Sequence, residues 1–255
     1  MKISFIKISL LVIVCVALSA CETLKGGDDE RGESKLGARA RSHTELGAAY
    51  FQQNKLELAL DEFKYAVQID PEYAQAYNGL GLVYAALGED AKADSNFKKA
   101  IQVEPANSES HNNYGSFLCA RKRYDESITH FLEAVKNPLY ATPNLAYANA
   151  GICSVRKNDI KNAEVYLTKA LQIEPLTHPA ASQLADIQLK RGDASNANKT
   201  LQNALLDNPG PDTLWLGIKV ARALDDKNSE ASYALQLRQQ YPNSEQTRML
   251  LSGQK

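Results

Sequence analysis

Tryptophan occurs once and methionine twice in this chain of 255 residues, and phenylalanine, at six, is half as frequent as tyrosine, at twelve. So few purely apolar rings argue against a dry sandwich core and for half-buried helix contacts that keep a hydroxyl wet. No charge of one sign predominates: 29 Lys and Arg against 30 Asp and Glu leave -1, without the basic surplus that phosphate neutralisation needs. Nucleic acid is therefore excluded as a partner. Glycine and proline, at 14 and 9, are too few for a collagen-like chain, and long apolar runs beyond Ala20 are missing, which excludes a multi-span membrane protein. Catalytic signatures are missing as well. There is no G-x-S-x-G elbow, no G-x4-G-K-[ST] phosphate loop and no H-E-x-x-H pair. What is present, 44% hydrophobic and 23% charged residues, fits an ordinary folded protein.

Met1 to Ala20 reads as an address. Lys2 and Lys7 precede an apolar stretch from Ile8 to Leu18 that is too short for a permanent span, which takes about 20 residues. Leu18-Ser19-Ala20-Cys21 then places small residues before a cysteine. This resembles the bacterial lipoprotein signal, which implies cleavage before Cys21 and an N-acyl diglyceride lipid, palmitate included, on that residue. An ordinary signal peptide that happens to precede a cysteine is the alternative. Residue 22 is glutamate, not the aspartate that retains many lipoproteins at the inner membrane, so the expected location is the outer membrane, lipid-anchored and facing the periplasm. Residues 21–39 carry Gly26, Gly27, Gly32 and Gly37 among charged and small residues with no helical period. They read as a lipidated flexible tether reaching roughly 25 Å. Asp28-Asp29-Glu30 within it is a solvated acidic patch rather than a metal site.

From Ala40 onward the sequence repeats itself with a period of about 34 residues. His43, Leu46, Gly47, Tyr50, Ala59, Phe63, Ala66 and Pro71 recur as Tyr77, Leu80, Gly81, Tyr84, Ala93, Phe97, Ala100 and Pro105. The next round has His111, Tyr114, Gly115, Leu118, Ser127, Phe131 and Ala134, followed by two inserted residues. Weaker rounds follow through Gly151, Ala163, Leu167 and Pro175, then Ala185, Ala197, Leu201 and Pro209, then Trp215, Ile218 and Pro242. This is the tetratricopeptide pattern of paired helices. The predicted fold is all-α, a right-handed superhelical solenoid of six helix-turn-helix units. The units are 40–73, 74–107, 108–143, 144–177, 178–211 and 212–245, with a short terminal cap over 246–255. Small residues let paired helices approach, prolines end each second helix, and neighbouring units supply the core.

In such solenoids first helices line the concave surface, through the second, fifth, ninth, twelfth and thirteenth places of each unit. The candidate partner-binding groove is thus Thr44, Ala48 and Phe51 of the first unit, Asn78, Leu82 and Ala85 of the second, and Asn112 and Ser116 of the third. Phe51, Leu82 and the alanines form an apolar floor, while Asn78 and Asn112 are placed to bond the backbone of a docked peptide. Alternatively Phe51 and Leu82 only pack between units. His43 and His111 fill the aromatic place of their units, and His130 and His178 lie alone, so no metal, cofactor or small-molecule substrate is expected. Cys119 and Cys153 fall on first helices of adjacent units; the oxidising periplasm favours a disulfide between them over two buried thiols.

Lipid cysteine, polar tether and six repeats together resemble the type IV pilus biogenesis lipoproteins, the PilF/PilW pilotin family. The more specific stretches are Asn112-Asn113-Tyr114-Gly115-Ser116-Phe117-Leu118, Asn137-Pro138-Leu139-Tyr140 and Leu214-Trp215-Leu216-Gly217-Ile218, continuing to Tyr241-Pro242. The resemblance implies a non-enzymatic chaperone that brings subunits of the pilus secretin to the outer membrane and helps them multimerise, as pilus biogenesis and twitching motility require. It also implies, in some members, a disulfide joining neighbouring repeats. The competing reading is a scaffold lipoprotein of another envelope machine, such as outer-membrane protein insertion or peptidoglycan synthesis.

Overall fold

A computed structural model describes residues 35–253; the signal, Cys21 and the tether up to residue 34 lie outside the described residues. Thirteen α-helices and no strands make up the described chain. They are α1 Lys35–Gln52, α2 Leu56–Ile69, α3 Ala74–Ala86, α4 Asp90–Val103, α5 Ser108–Ala120, α6 Tyr124–Ala134, α7 Pro143–Arg156, α8 Ile160–Ile173, α9 His178–Lys190, α10 Ala194–Leu206, α11 Pro211–Ala223, α12 Lys227–Gln240 and α13 Glu245–Leu251. Each odd helix pairs with the even helix after it, and consecutive odd helices stack on one another. This is the tetratricopeptide solenoid predicted above. Among the described residues no helix is long and apolar enough to cross a membrane.

Paired helices come close because the eighth place of a unit carries almost no side chain. A Cβ on Gly81 would sit 2.7 Å from the Phe97 ring, and one on Gly151 would meet the Leu167 side chain at 2.5 Å. Ala185 takes this place opposite Leu201 in the fifth unit, both fully buried. In the sixth unit the small residue slips two places to Gly217, against Leu205 and Tyr233.

The turn inside each unit is as regular. Asn54, Gly88, Lys122, Asn158, Gly192 and Asp225 all adopt positive φ. The residue after each sends its N–H back five places, as Lys55 does to Tyr50 O, Glu89 to Tyr84 O and Arg123 to Leu118 O. That is the left-handed stop that lets the chain reverse while satisfying helix-end carbonyls. At the far end Ser244 caps α13, and Thr247, buried, donates to Tyr241 O at 2.7 Å.

Two expectations need correction. Residues 35–39, assigned to the tether, form the first turn of α1. Gly37 there is buried, and its packing left no hydropathy signal because glycine carries none. His130 is not alone: its Nδ1 lies 2.9 Å from His111 Nδ1, and His111 Nε2 lies 3.0 Å from Pro105 O. A carbonyl only accepts, so His111 donates from Nε2 to Pro105 O, and the two Nδ1 atoms share a single proton between them. His43 and Glu62, 2.6 Å apart, occupy the same two places in the first unit, and His178 meets Asp207 at 3.0 Å.

Nearby, Tyr114 and Arg123 both donate to Asp94, at 2.8 and 2.6 Å, tying the second unit to the third. Burial alone would raise the Asp94 carboxyl, but bonds from Lys98, Tyr114 and Arg123 outweigh it and hold the group at about 2.

Among the described residues Lys122 is the one long, unbranched side chain forced to positive φ (63°), at a place where Gly88 and Gly192 also sit. Lys122→Gly is expected to stabilise the protein by about 1 kcal/mol in urea titrations. Burial, aided by the proximity of His111, lowers His130 to about 4. A folded-state base below its unfolded pKa contributes stability above pH of about 6.5, which fades as pH falls toward 4. Between pH 7 and 4.5 the wild-type urea midpoint should therefore drop more than that of His130→Gln.

Candidate peptide-binding groove

The stacked first helices present their faces to the concave side, and the depression there is built by α1 and α3 with the start of α5. It encloses about 260 Å³ between Arg41, Thr44, Glu45 and Ala48 of α1, Gln75, Asn78, Gly79 and Leu82 of α3, Glu109 of α5, and Tyr73 and Asn107 at the connecting turns. Phe63 of α2 closes its base, visible because Gly79 has no Cβ; one placed there would meet the ring at 2.3 Å. Four predicted residues, Thr44, Ala48, Asn78 and Leu82, come together in this lining.

The other four lie elsewhere. Phe51 packs into the cluster of Phe63, Leu80 and Val83, and Ala85 packs against the Phe97 cluster. Asn112 is half-buried one unit further on, and Ser116, exposed, donates to Asn112 O at 3.0 Å. The groove is consequently shorter than predicted and centred on the first two units. Leu82 does both jobs considered for it, lining the groove and packing against the Phe97 cluster.

The polar equipment of the groove is partly spent and partly open. Asn113 donates to Asn78 Oδ1 at 3.4 Å, and Asn149 donates to Asn112 Oδ1 at 3.1 Å, so both predicted asparagines accept from the next unit. Their own amide N–H groups remain as donors. Thr44 Oγ1 is buried without a hydrogen-bond partner among the described residues, an unmet demand that a docked polar group would satisfy. Tyr73 keeps its proton: burial raises its pKa, Arg41 opposes, and Glu45 and Glu104 add to the rise.

Glu45, Tyr73 and Asn107 escaped the sequence reading. Tyr73 and Asn107 hold the last place of their units, one residue before a first helix starts, where a helical pattern has not yet begun. Their recurrence at the repeat period was the available signal.

Cys119 of α5 and Cys153 of α7 are buried and paired as a disulfide with Cα atoms 5.9 Å apart, across the joint that holds the inserted residues. A larger open cleft of about 690 Å³ lies at the far end beside Lys219, Arg222 and Lys227. Its cations each have an acid within reach, Arg222 with Glu230 at 2.7 Å, Lys227 with Asp225 at 3.3 Å and Lys219 with Asp186 at 3.7 Å, the last shared with Lys190 at 2.6 Å. Among the described residues no three His, Cys, Asp or Glu side chains converge as a metal site.

Tetratricopeptide repeat models match residues 47–88, 74–107, 96–129 and 146–175. The type IV pilus assembly protein PilF of Pseudomonas aeruginosa is 30% identical over 243 residues, covering 94% of this chain and 95% of that protein. The solved structure of Pseudomonas aeruginosa PilF superposes with a TM-score of 0.75 at 29% identity, over 86% of this chain and 99% of that one. PilW, described as a widely conserved type IV pilus biogenesis factor, gives 0.72 at 31% identity over 83% and 98%. A scaffold of interaction repeats with such relatives acts through protein–protein contact. The chain belongs to the PilF family of tetratricopeptide-repeat type IV pilus biogenesis proteins.

Proposed function

We propose that this protein is an outer-membrane-anchored pilotin, a non-enzymatic chaperone that escorts subunits of the pilus secretin to the outer membrane and promotes their multimerisation. The observation that carries the reading is the match to PilF along nearly the whole of both chains, with a peptide-sized groove in the first two units. Lipid at Cys21 fixes one end to the membrane, and the tether sets the reach. The groove takes an extended segment of the secretin subunit. An apolar side chain of that segment enters the notch of Ala48, Gly79 and Leu82, and its backbone meets the amide of Asn78 and the hydroxyl of Thr44. Holding such a segment until subunits pair suppresses the aggregation that exposed apolar strands invite. The Cys119–Cys153 bridge forms in the periplasm and stiffens the joint behind the groove.

Deleting the gene should abolish the detergent-resistant secretin multimer in outer membranes blotted after a denaturing gel, and the wild-type gene should restore it. Thr44→Arg, which fills the groove without entering the second-helix core, should leave at most a tenth of the multimer, while Cys21→Ala should leave multimers in the wrong membrane. Normal multimers in the deletion strain would assign the protein to another envelope machine. For the bridge, closing a loop of 34 residues is worth about 3–4 kcal/mol. Thermal melts of Cys119→Ala/Cys153→Ala against wild type, with and without reductant, measure that loss.

A further inference from the structure

The seventh place of a unit is where a first helix packs on the unit before it. Leu80, Tyr114, Ala150, Leu184 and Ile218 hold that place in units two to six and are at most 6% exposed. Leu46, the same place in the first unit, is 41% exposed because no unit precedes it. A solenoid end normally turns polar there. Here the opposite has happened. On α2, Leu58 and Tyr65, 47% and 44% exposed, stand where units two to five carry Lys92, Glu126, Asn162 and Asn196, and Lys99, Glu133, Lys169 and Asn203. Leu36 on α1 is 54% exposed as well. Leu36 and Leu46 stand on the side of α1 that carries His43, Leu58 and Tyr65 stand seven residues apart on one side of α2, and His43 touches Tyr65, so the four lie along one exposed apolar side of the first hairpin.

We propose that this face is the interface of an isologous homodimer, formed by two copies of the chain meeting end to end through α1 and α2. Three observations select a second copy. The chain between Cys21 and α1 offers Leu24 as its sole large apolar residue, too little to cover four apolar side chains. The opposite end of the solenoid is closed by α13, which packs on α11 and α12, so head-to-tail stacking has no acceptor. The face is also charged in a self-complementary way. Lys35 and Arg39 lie at one end of it, and Glu57 and Asp61 lie at the other, because α1 and α2 run antiparallel, with His43 and Tyr65 in ring contact at the middle. A two-fold axis across the helices brings the basic end of one copy onto the acidic end of its partner, as an isologous contact requires. Thr44 and Ala48 lie on another side of α1, so both grooves stay open. This inference rests on cleavage before Cys21 but not on the secretin as partner.

The test is a benzophenone amino acid placed at Ser42 in the full-length chain, irradiated in cells that co-express two tagged copies. A conjugate of twice the chain mass carrying both tags is expected, with none from the same probe at Leu206, which is 79% exposed at a distant turn. Leu46→Glu/Leu58→Glu and Arg39→Glu should each cut that conjugate at least fivefold, and Arg39→Glu/Asp61→Arg should restore it. Circular dichroism of the purified variants confirms folding. No conjugate at Ser42, a conjugate of another mass, or charge reversal without rescue would each overturn the dimer.

Discussion

Everything in this molecule depends on how near two helices of one unit can come. The ring of Phe63, Phe97 or Phe131, or the branched Leu167 or Leu201, occupies the space that a side chain at the eighth place of the first helix would need. Removing a Cβ there lets the large residue pack flat on backbone, where dispersion contacts are dense. The pair then behaves as one rigid hairpin with an apolar face, and only a neighbouring unit can bury that face. The helix spacing within a unit therefore sets the stacking between units, and the stacking sets the curvature that makes a groove.

The polar contacts between units have a different part. Arg121 with Asp90, Lys157 with Asp125 and Arg191 with Glu164 each join the start or middle of a second helix to the end of the next first helix. All are substantially exposed, and pairs of that kind contribute roughly 0–1 kcal/mol. They fix register more than they add stability. The asparagine rungs Asn78–Asn113 and Asn112–Asn149 do the same between first helices, and Asn78, accepting only at oxygen, keeps its amide donors at the groove.

Most of the fold was legible because its determinants are periodic. Gly47, Gly81, Gly115 and Gly151 with their facing rings, and the prolines at the unit ends, mark the hairpins without any need for tertiary information. The groove was half legible. Places taken from a regular unit put Thr44, Ala48, Asn78 and Leu82 together, yet they overextended to Phe51, Ala85, Asn112 and Ser116, because Phe51 and Ala85 pack against core clusters and the depression ends at the start of the third unit. Tyr73 and Asn107 were missed since they act from turns. His130 was misjudged for a simpler reason: its partner His111 stands on the other helix of the hairpin and leaves no local signature, although His43 and Glu62 hold the same two places.

A strictly periodic protein has no site of its own; every unit offers what every other unit offers. Specificity arises where the period fails. Gly79, outside the repeat pattern, opens a window onto Phe63 that makes the notch in the groove. The two inserted residues before α7 fall at one joint, and that joint carries the disulfide. Leu58 and Tyr65 replace the charged or amide residues of other units at places that remain open to solvent along the stack. Each departure costs the regular packing something, and each creates a surface unlike the rest. The repeat supplies the scaffold, and its exceptions mark where a partner can be recognised.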